Sequence, residues 1–519
     1  MTTAQKPSHY LRFVEGLDSA TDTQDALLKR LIASGRDTAF GREHGFEHID
    51  SLADFRRQVP LRRYDELQPY VDRIVAGERD VLFTGEVFRF ISSSGSSSGQ
   101  AKVLPLPRAY FAETFNPFYL TFLEGAVRAH PGLAASADCT INFKWDPLRD
   151  TSMLTSGAPH VGLSQVNLAN EFSSDALREP GTQGPWATVP ADIAADLDRL
   201  YFRLRMAVGH DIRQFVGINP AILAVVPYLL DSNAERLFAD VADGTFAGRP
   251  VAAPDPALAA QLAARRTTRG RLVPADVWPN VERLICWDEG MAGIYLPQVV
   301  RDYGREVAVV PAPLAASEAP LALHLLPHGL RGVLAYNAVF FEFLDSQAGP
   351  RQTPLRLDEL RKGASYAVVV TQAGGFCRYV LGDLLEVTGR AGAVPTVAYA
   401  GRLAPSAAVP ESALLNFMRR YNATHGLRLR HFTFVPNAKN GLDGQDRLDL
   451  RFACDAENNT PFDEASLRHA YAADHALAAV PLGAVQQVSA SDFDRDWCAR
   501  VAAGLRPPQV KDRIVSALP

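Results

Sequence analysis

Through its middle the chain alternates between short runs that read as strands and segments with helical periodicity. "VERLICW", "EVAVVPA", "GVLAYNAVFFEFL" and "SYAVVVT" are β-branched, aromatic or both, and segments such as "MAGIYLPQVVRDYG" separate them. Strands leave sheet faces to be covered, and intervening helices cover them. The alternation therefore predicts an α/β fold with layered sheets. No internal repeat of fixed period and no heptad pattern offers a competing architecture. With 519 residues, the chain has room for two or three domains with cores of their own.

Local signals place the ends. "TDTQDALLKRLIASG" predicts a helix, with Thr21 and Gln24 at capping-box spacing, Leu27, Leu28 and Leu31 on one face, and Gly35 at the exit. "SLADFRRQ" predicts a second helix. "DVLFTGEVFRFI" reads as two short strands around Gly85, and "RAYFAETFNPFYLTFLEGAVRAH" has helical period. The stretch between them, "ISSSGSSSGQAK", then joins a strand to a helix through the short extended piece "VLPLP". Near residue 403 the texture changes to "LAPSAAVPES", a hinge composition. This divides the chain into a large domain, 1–402, and a small mobile α+β domain, 403–519. The small domain is read as the helix "ALLNFMRRYNATHG", the strands "LRLRHFTFVP" and "RLDLRFA", the helix "DEASLRHAYAADHALA", the strand "AVQQVSA" and a basic tail.

Composition removes several function classes. The net charge is −5 and the pI about 6.2, without the basic excess of a nucleic-acid partner. No apolar run reaches the length of a membrane span. "MTTAQKPSHYLRF" carries no signal-peptide core, and the scattered cysteines fit a reducing cytoplasm. Cys139, Cys286, Cys377, Cys454 and Cys498 are odd in number and scattered, so neither a disulfide framework nor a cysteine zinc site is expected. His324 and His328 have i, i+4 spacing in "HLLPHG", but Pro327 argues against the helix that a metal pair would need. Nothing in the sequence sets an oligomeric state.

The serine stretch has two readings. As composition alone it is a flexible linker. Its shortness, its position directly after an apolar strand, and a lysine at fixed distance from two glycines favour a phosphate cradle. Glycines let backbone N–H groups approach an anion, serine hydroxyls add donors, and a lysine adds a compact charge. Gly99 and Lys102 are separated by Gln100 and Ala101, so the P-loop pattern is absent. The spacing Ser93, Gly95, Ser97, Gly99, Lys102 resembles the S-x-G-x-S/T-x-G-x-x-K loop of adenylate-forming enzymes.

The flanking text resembles the auxin-responsive family of acyl acid amido synthetases, a branch of that superfamily. Its N-terminal pattern is matched by Val59, Pro60, Leu61, Tyr64, Asp65, Pro69, Tyr70, Arg73, Ile74, Gly77 and Glu78. "VWPNVERLICWDEGMAGIYLPQV" resembles its acid-pocket segment, "LAASEAP" its Tyr-x-Ser-Ser-Glu motif, and "FFEF" its Phe-Glu-Phe. "TQAGGFCRYVLGD" resembles its Arg-Tyr-x-x-Gly-Asp run through Gly375, Arg378, Tyr379, Gly382 and Asp383. "RPPQVKDR" resembles its Gln-x-Lys tail through Gln509, Lys511 and Arg513. The resemblance covers essentially the whole chain, and the alanine- and arginine-rich composition suggests a bacterial member.

The resemblance implies an ATP- and Mg²⁺-dependent ligase. It would adenylate a small carboxylic acid and pass the acyl group to an amine, typically of an amino acid. Ser93, Ser94, Gly95, Ser96, Ser97, Gly99 and Lys102 would hold the polyphosphate. Ser317, Glu318 and Arg402 would hold the nucleotide, with Glu318 also a metal ligand. Asp383 would accept from the ribose hydroxyls, and Lys511 would approach the reacting carboxylate. Trp287, Gly290, Met291, Tyr295 and Ala315 would line the acid pocket. Only seven of the 53 cationic residues are lysines, yet both pattern positions hold one, which favours a point charge over a planar fork. The chain departs from the family pattern at Leu314, which replaces an aromatic, and at Cys377, Val380 and Leu381. These changes bear on acyl and acceptor choice more than on adenylation. Two alternatives stay open: a thiol acceptor, either coenzyme A or a carrier protein, and a non-catalytic nucleotide- or acid-binding relative.

Overall fold

The computed structural model describes residues 8–93, 102–143, 151–153, 159–161, 181, 183–346, 348, 352–403, 409–437, 447–455 and 461–516. The chain folds as two units interleaved in sequence. The first comprises Met1–Ala135, Leu148–Glu179 and Pro313–Leu403, the second Ser136–Pro147, Pro180–Ala312 and Ala404–Pro519.

The first unit is built on a seven-stranded sheet. In spatial order its strands are Leu314–Ala315, Pro320–Leu325, Leu330–Leu334, Val394–Arg402, Tyr379–Ala391, Ser365–Thr371 and Phe340–Asp345, and every pairing is antiparallel. Val368, Val369 and Val370 are at most 1% exposed, so Ser365–Thr371 is covered on both faces. Each such valine contributes roughly 1.5–3 kcal/mol by burial. A four-stranded sheet in the order Val103–Pro107, Val87–Ser92, Pro159–Val161, Thr151–Met153 completes the unit's strands.

The second unit holds a parallel sheet, Ala308–Pro311, Arg283–Cys286, Gln214–Val216 and Thr140–Asn142. It also holds a three-stranded sheet, Leu429–Asn437, Arg447–Cys454 and Leu482–Gln487. One hydrophobic core runs through this unit, from Ile141, Phe215, Trp278 and Tyr303 to Phe432, Phe434, Leu450 and Trp497.

Most predicted elements are present, and the fold is mixed α/β as expected. Four readings change. Val81–Phe83 is buried but forms no strand, because the Asp80 and Val81 carbonyls accept the N–H groups of Ala39 and Phe40 at the start of helix Ala39–Glu43. Gln24 is not a cap residue. Its amide accepts from Phe341 N–H (2.8 Å) and donates to the Tyr336 and Val339 carbonyls (2.6 and 2.7 Å), closing the turn between two strands. "GVLAYNAVFFEFL" is two strands, Leu330–Leu334 and Phe340–Asp345, at separate places in the seven-stranded sheet. The basic tail contains a helix, Ala490–Ala502, started by a capping box of Ser489 and Asp492.

Candidate functional site

The serine stretch lies, as expected, between strand Val87–Ser92 and the extended piece Val103–Pro107 that leads on to the helix Asn116–Ala129, and the two strands also pair as a hairpin. Val87–Ser92 pairs antiparallel with Val103–Pro107, with Ser92 opposite Val103. Beyond that pair, Ser93 N–H donates to the Lys102 carbonyl (2.9 Å), and Lys102 N–H donates to Ser93 Oγ (3.2 Å). Ser94, Gly95, Ser96, Ser97 and Gly99 lie outside the described residues.

Lys102 emerges from this stem into a buried polar cluster. Its ammonium lies 3.0 Å from Glu318 Oε1 and donates to the Tyr379 hydroxyl at 2.9 Å. The Tyr379 hydroxyl donates in turn to Glu318 Oε1 at 3.1 Å. The ammonium also stands 5.6 Å from the Tyr64 ring centroid and 5.7 Å from that of Tyr379, within cation–π range. The side chains of Lys102 and Glu318 are only 14% and 8% exposed, so the pair is held in low dielectric with its hydrogen bonds made. Burial, the Glu318 charge and the hydrogen bond to Glu318 push the Tyr379 phenol far up, so it stays a neutral donor. Tyr64 is pushed up to about 12 by burial, and its hydroxyl bonds both the N–H and the carbonyl of Val103. Both tyrosines lie in the matched motifs, yet motif spacing alone assigns neither a role.

The backbone that presents Tyr379 is tightly fixed. Arg378 has φ +49° and is 3% exposed, a conformation that costs energy outside glycine. Its guanidinium meets Glu342 at 2.8 Å and donates to the Val59 carbonyl at 2.7 Å, while Arg56 meets the same glutamate at 2.8 Å. Arg62 exchanges backbone hydrogen bonds with Arg378 and Val380. The N-terminal pattern and the Arg-Tyr run thus meet in space. Gly375 has φ +86°, and a Cβ there would stand 2.2 Å from the Leu82 carbonyl oxygen, so only glycine fits. Gln372 Nε2 donates to the Glu318 carbonyl at 3.1 Å and holds the turn that carries the glutamate.

Asp383 and Arg402 face each other across adjacent strands, with Arg402 Nε 3.6 Å from Asp383 Oδ1. The Asp383 charge also reaches the Tyr379 phenol. Leu314 and Ala315 form a short edge strand just before the turn with Ser317 and Glu318, and both are half-buried.

The second unit holds the remaining predicted residues. Lys511 Nζ lies 5.1 Å from the Trp287 ring centroid. Asn219 Nδ2 donates to the Val510 carbonyl (2.8 Å), and Arg500 donates to the Lys511 carbonyl (3.1 Å). Asp512 accepts from the Tyr295 hydroxyl at 2.7 Å and bonds His431 Nε2 at 2.8 Å. Burial would raise the Asp512 carboxyl, but His431, Tyr295 and Arg500 outweigh it and hold the group below its usual range. Of the predicted pocket residues here, Tyr295 is 1% and Met291 8% exposed. Gly290 is buried at φ +64°, and Trp287 keeps partial exposure.

The GH3 family N-terminal domain matches residues 11–309, and the GH3 family central domain matches residues 332–402. The indole-3-acetic acid-amido synthetase GH3.8 of Oryza sativa subsp. indica is 26% identical over 436 residues, 76% of this chain and 68% of that protein. The 4-substituted benzoates-glutamate ligase GH3.12 of Arabidopsis thaliana is 22% identical over 392 residues, 70% of this chain and 66% of that protein. The solved AtGH3.15 acyl acid amido synthetase in complex with 2,4-DB has a TM-score of 0.76 at 18% identity, covering 99% of this chain and 95% of that chain. The structural likeness shows the shared fold, and the family match spans more than half of the sequence. This chain belongs to the GH3 family.

Proposed function

We propose that the protein is an ATP-dependent acyl acid amido synthetase, an AMP-forming ligase that joins a small carboxylic acid to an amino acid. The observation that carries the reading is the Lys102–Glu318–Tyr379 cluster at the stem of the serine stretch. In the first half-reaction a carboxylate oxygen bonds to the α-phosphorus of ATP, and the bond to pyrophosphate breaks. In the second, the amine nitrogen bonds to the acyl carbon, AMP leaves with its bonding pair, and the amine loses a proton.

Lys102 and the serine stretch would hold the polyphosphate as charge moves onto pyrophosphate. Asp383 would accept from the ribose hydroxyls, beside Arg402. Lys511 would neutralise the reacting carboxylate. The residues fit a magnesium ion, since Glu318 offers a hard carboxylate oxygen and, among the described residues, has only its Oε1 engaged by Lys102 and Tyr379. Magnesium would supply charge neutralisation of the phosphates. Trp287, Gly290, Met291, Tyr295 and Ala315 are assigned to the acid. An aryl or indolyl acid is the first candidate, supported by the GH3.8 and GH3.12 relatives.

Residues 403–519 are assigned as a domain that rotates about 402–410 between the half-reactions. Such rotation would open the Tyr295–Asp512 and Arg301–Asp455 contacts. A cytoplasmic location is part of the same reading, supported by five free cysteines. Among the described residues no helix is long and apolar enough to cross a membrane.

The test is product analysis by mass spectrometry. The protein is incubated with ATP, Mg²⁺ and a panel of carboxylic acids, with mixed amino acids or with coenzyme A. An N-acyl amino acid is the expected product. A thioester formed in place of the amide would overturn the acceptor assignment.

A further inference from the structure

The second unit contains a cavity of about 550 Å³ between helix Ala490–Ala502, strand Leu429–Asn437, the start of helix Ala221–Ser232 and the tail at 512–516. That is the size of a small-molecule site. It shares only Tyr295 with the assigned acid pocket, since Trp287, Gly290, Met291 and Ala315 do not line it.

Its walls combine apolar surface with one unpaired indole donor and two guanidinium groups. Ala221, Ala224, Val225 and Leu505 supply apolar wall. Trp497 and Arg500 lie three residues apart, on one face of their helix. Trp497 is 6% exposed, and its Nε1 is buried without a hydrogen-bond partner among the described residues. An indole N–H can only donate, and a buried donor left unpaired costs about 1–3 kcal/mol. Arg500 donates to the Lys511 carbonyl, and Arg513 lines the same cavity. Burial first, and then the Arg513 charge, lower the Arg500 pKa, while Asp512 and Asp496 raise it by less.

The lining carboxylates offset this charge only in part, because they are also engaged elsewhere. Asp512 is engaged by His431 and Tyr295, and Asp496 lies 3.5 Å from Arg451. Asp494 is pushed up to about 7 by burial, so near neutrality much of it is a neutral acid. Two guanidinium groups and an orphaned indole N–H therefore face a space whose remaining lining is mixed, with Arg430, Arg451 and His431 beside the alanine, valine and leucine wall.

We propose that this cavity is a second small-molecule site, distinct from the acid pocket, that takes an organic carboxylate with an apolar body. Arg500 and Arg513 grip the carboxylate, Trp497 Nε1 donates to one of its oxygens, and the alanine, valine and leucine walls take the remainder. None of its three donors is assigned a step of adenylation, but Tyr295 and Asp512 line the cavity, so the site is complete only while the contact that rotation would open stays closed.

Calorimetric titration of the full-length protein without ATP tests this, with phenylacetate, acetate, succinate and inorganic phosphate as separate probes. Phenylacetate binding should weaken by at least about tenfold in both Arg500→Gln and Arg513→Gln, and severalfold in Trp497→Phe, which keeps the ring and removes the donor. It should persist in Trp287→Ala. Arg513 is exposed, so its variant remains informative if Arg500→Gln fails to fold. Phenylacetate binding that is insensitive to both arginines, or lost only in Trp287→Ala, overturns the site. So does the absence of arginine-dependent binding up to about 10 mM. Arginine-dependent binding of phosphate with none of any carboxylate overturns the ligand class.

Discussion

Tyr379 places one phenol between a lysine and a glutamate, and burial keeps it protonated. It thereby fixes where the Lys102 ammonium points. Tyr379→Phe keeps the ring and removes the bridge, so kcat for pyrophosphate release should fall about tenfold, the worth of one hydrogen bond to a charged group. An unchanged kcat would assign the hydroxyl to packing alone. Beneath it, Glu342 is fully buried and bonded by both Arg378 and Arg56. Glu342→Gln leaves two guanidinium groups facing a neutral amide and should destabilise the fold by about 3 kcal/mol, read from urea denaturation. A variant as stable as the parent would contradict that account. The spacing of Ser93, Lys102, Glu318 and Asp383 was legible because it follows a known pattern. The roles of Tyr64, Tyr379 and Glu342 were not, because their partners lie up to some 300 residues away along the chain.

Elements were legible where their signals are local and opaque where their partners are distant. Helix Leu52–Gln58 has its capping box, Ser51 and Asp54, inside the predicted segment. Helix Ala490–Ala502 carries an equally local box, but its charged text hid the apolar positions Trp497 and Val501. Gln24 looked like a cap residue because nothing nearby in the sequence shows that it closes a turn at 336–341. The Ala490–Ala502 helix also makes a pH prediction. Asp494 is pushed up to about 7, with burial the main cause; Asp302 adds to the rise, while Arg430, His431 and Arg271 oppose it. Between the unfolded value near 4 and about 7, the folded state holds a proton that the unfolded chain has released. Stability from this group is therefore full below about pH 4 and falls as pH rises through 7. Asp494→Asn should remove that loss and gain on the order of 2 kcal/mol at pH 8, with little change at pH 4. Urea midpoints measured across this range that move in parallel for parent and variant would contradict the assignment.

At the scale of the whole molecule, the α/β class and family were readable from alternation and motifs, whereas the interleaving of the two units was not. Residues 136–147, 180–312 and 404–519 belong to one unit, and no local pattern announces that a C-terminal segment shares a core with a middle one. The hinge assignment predicts that stiffening 402–410 with Ala407→Pro lowers amide formation severalfold while ATP binding is kept. Equal rates of amide formation in parent and variant would place the hinge elsewhere. The most direct test of the account as a whole is acid-dependent pyrophosphate release from ATP, measured on the parent protein and on Lys102→Ala and Asp383→Ala, with folding checked by circular dichroism. The account predicts release that one class of carboxylic acid stimulates in the parent and that both folded variants lose. Acid-stimulated release at parental rates in both variants would contradict it.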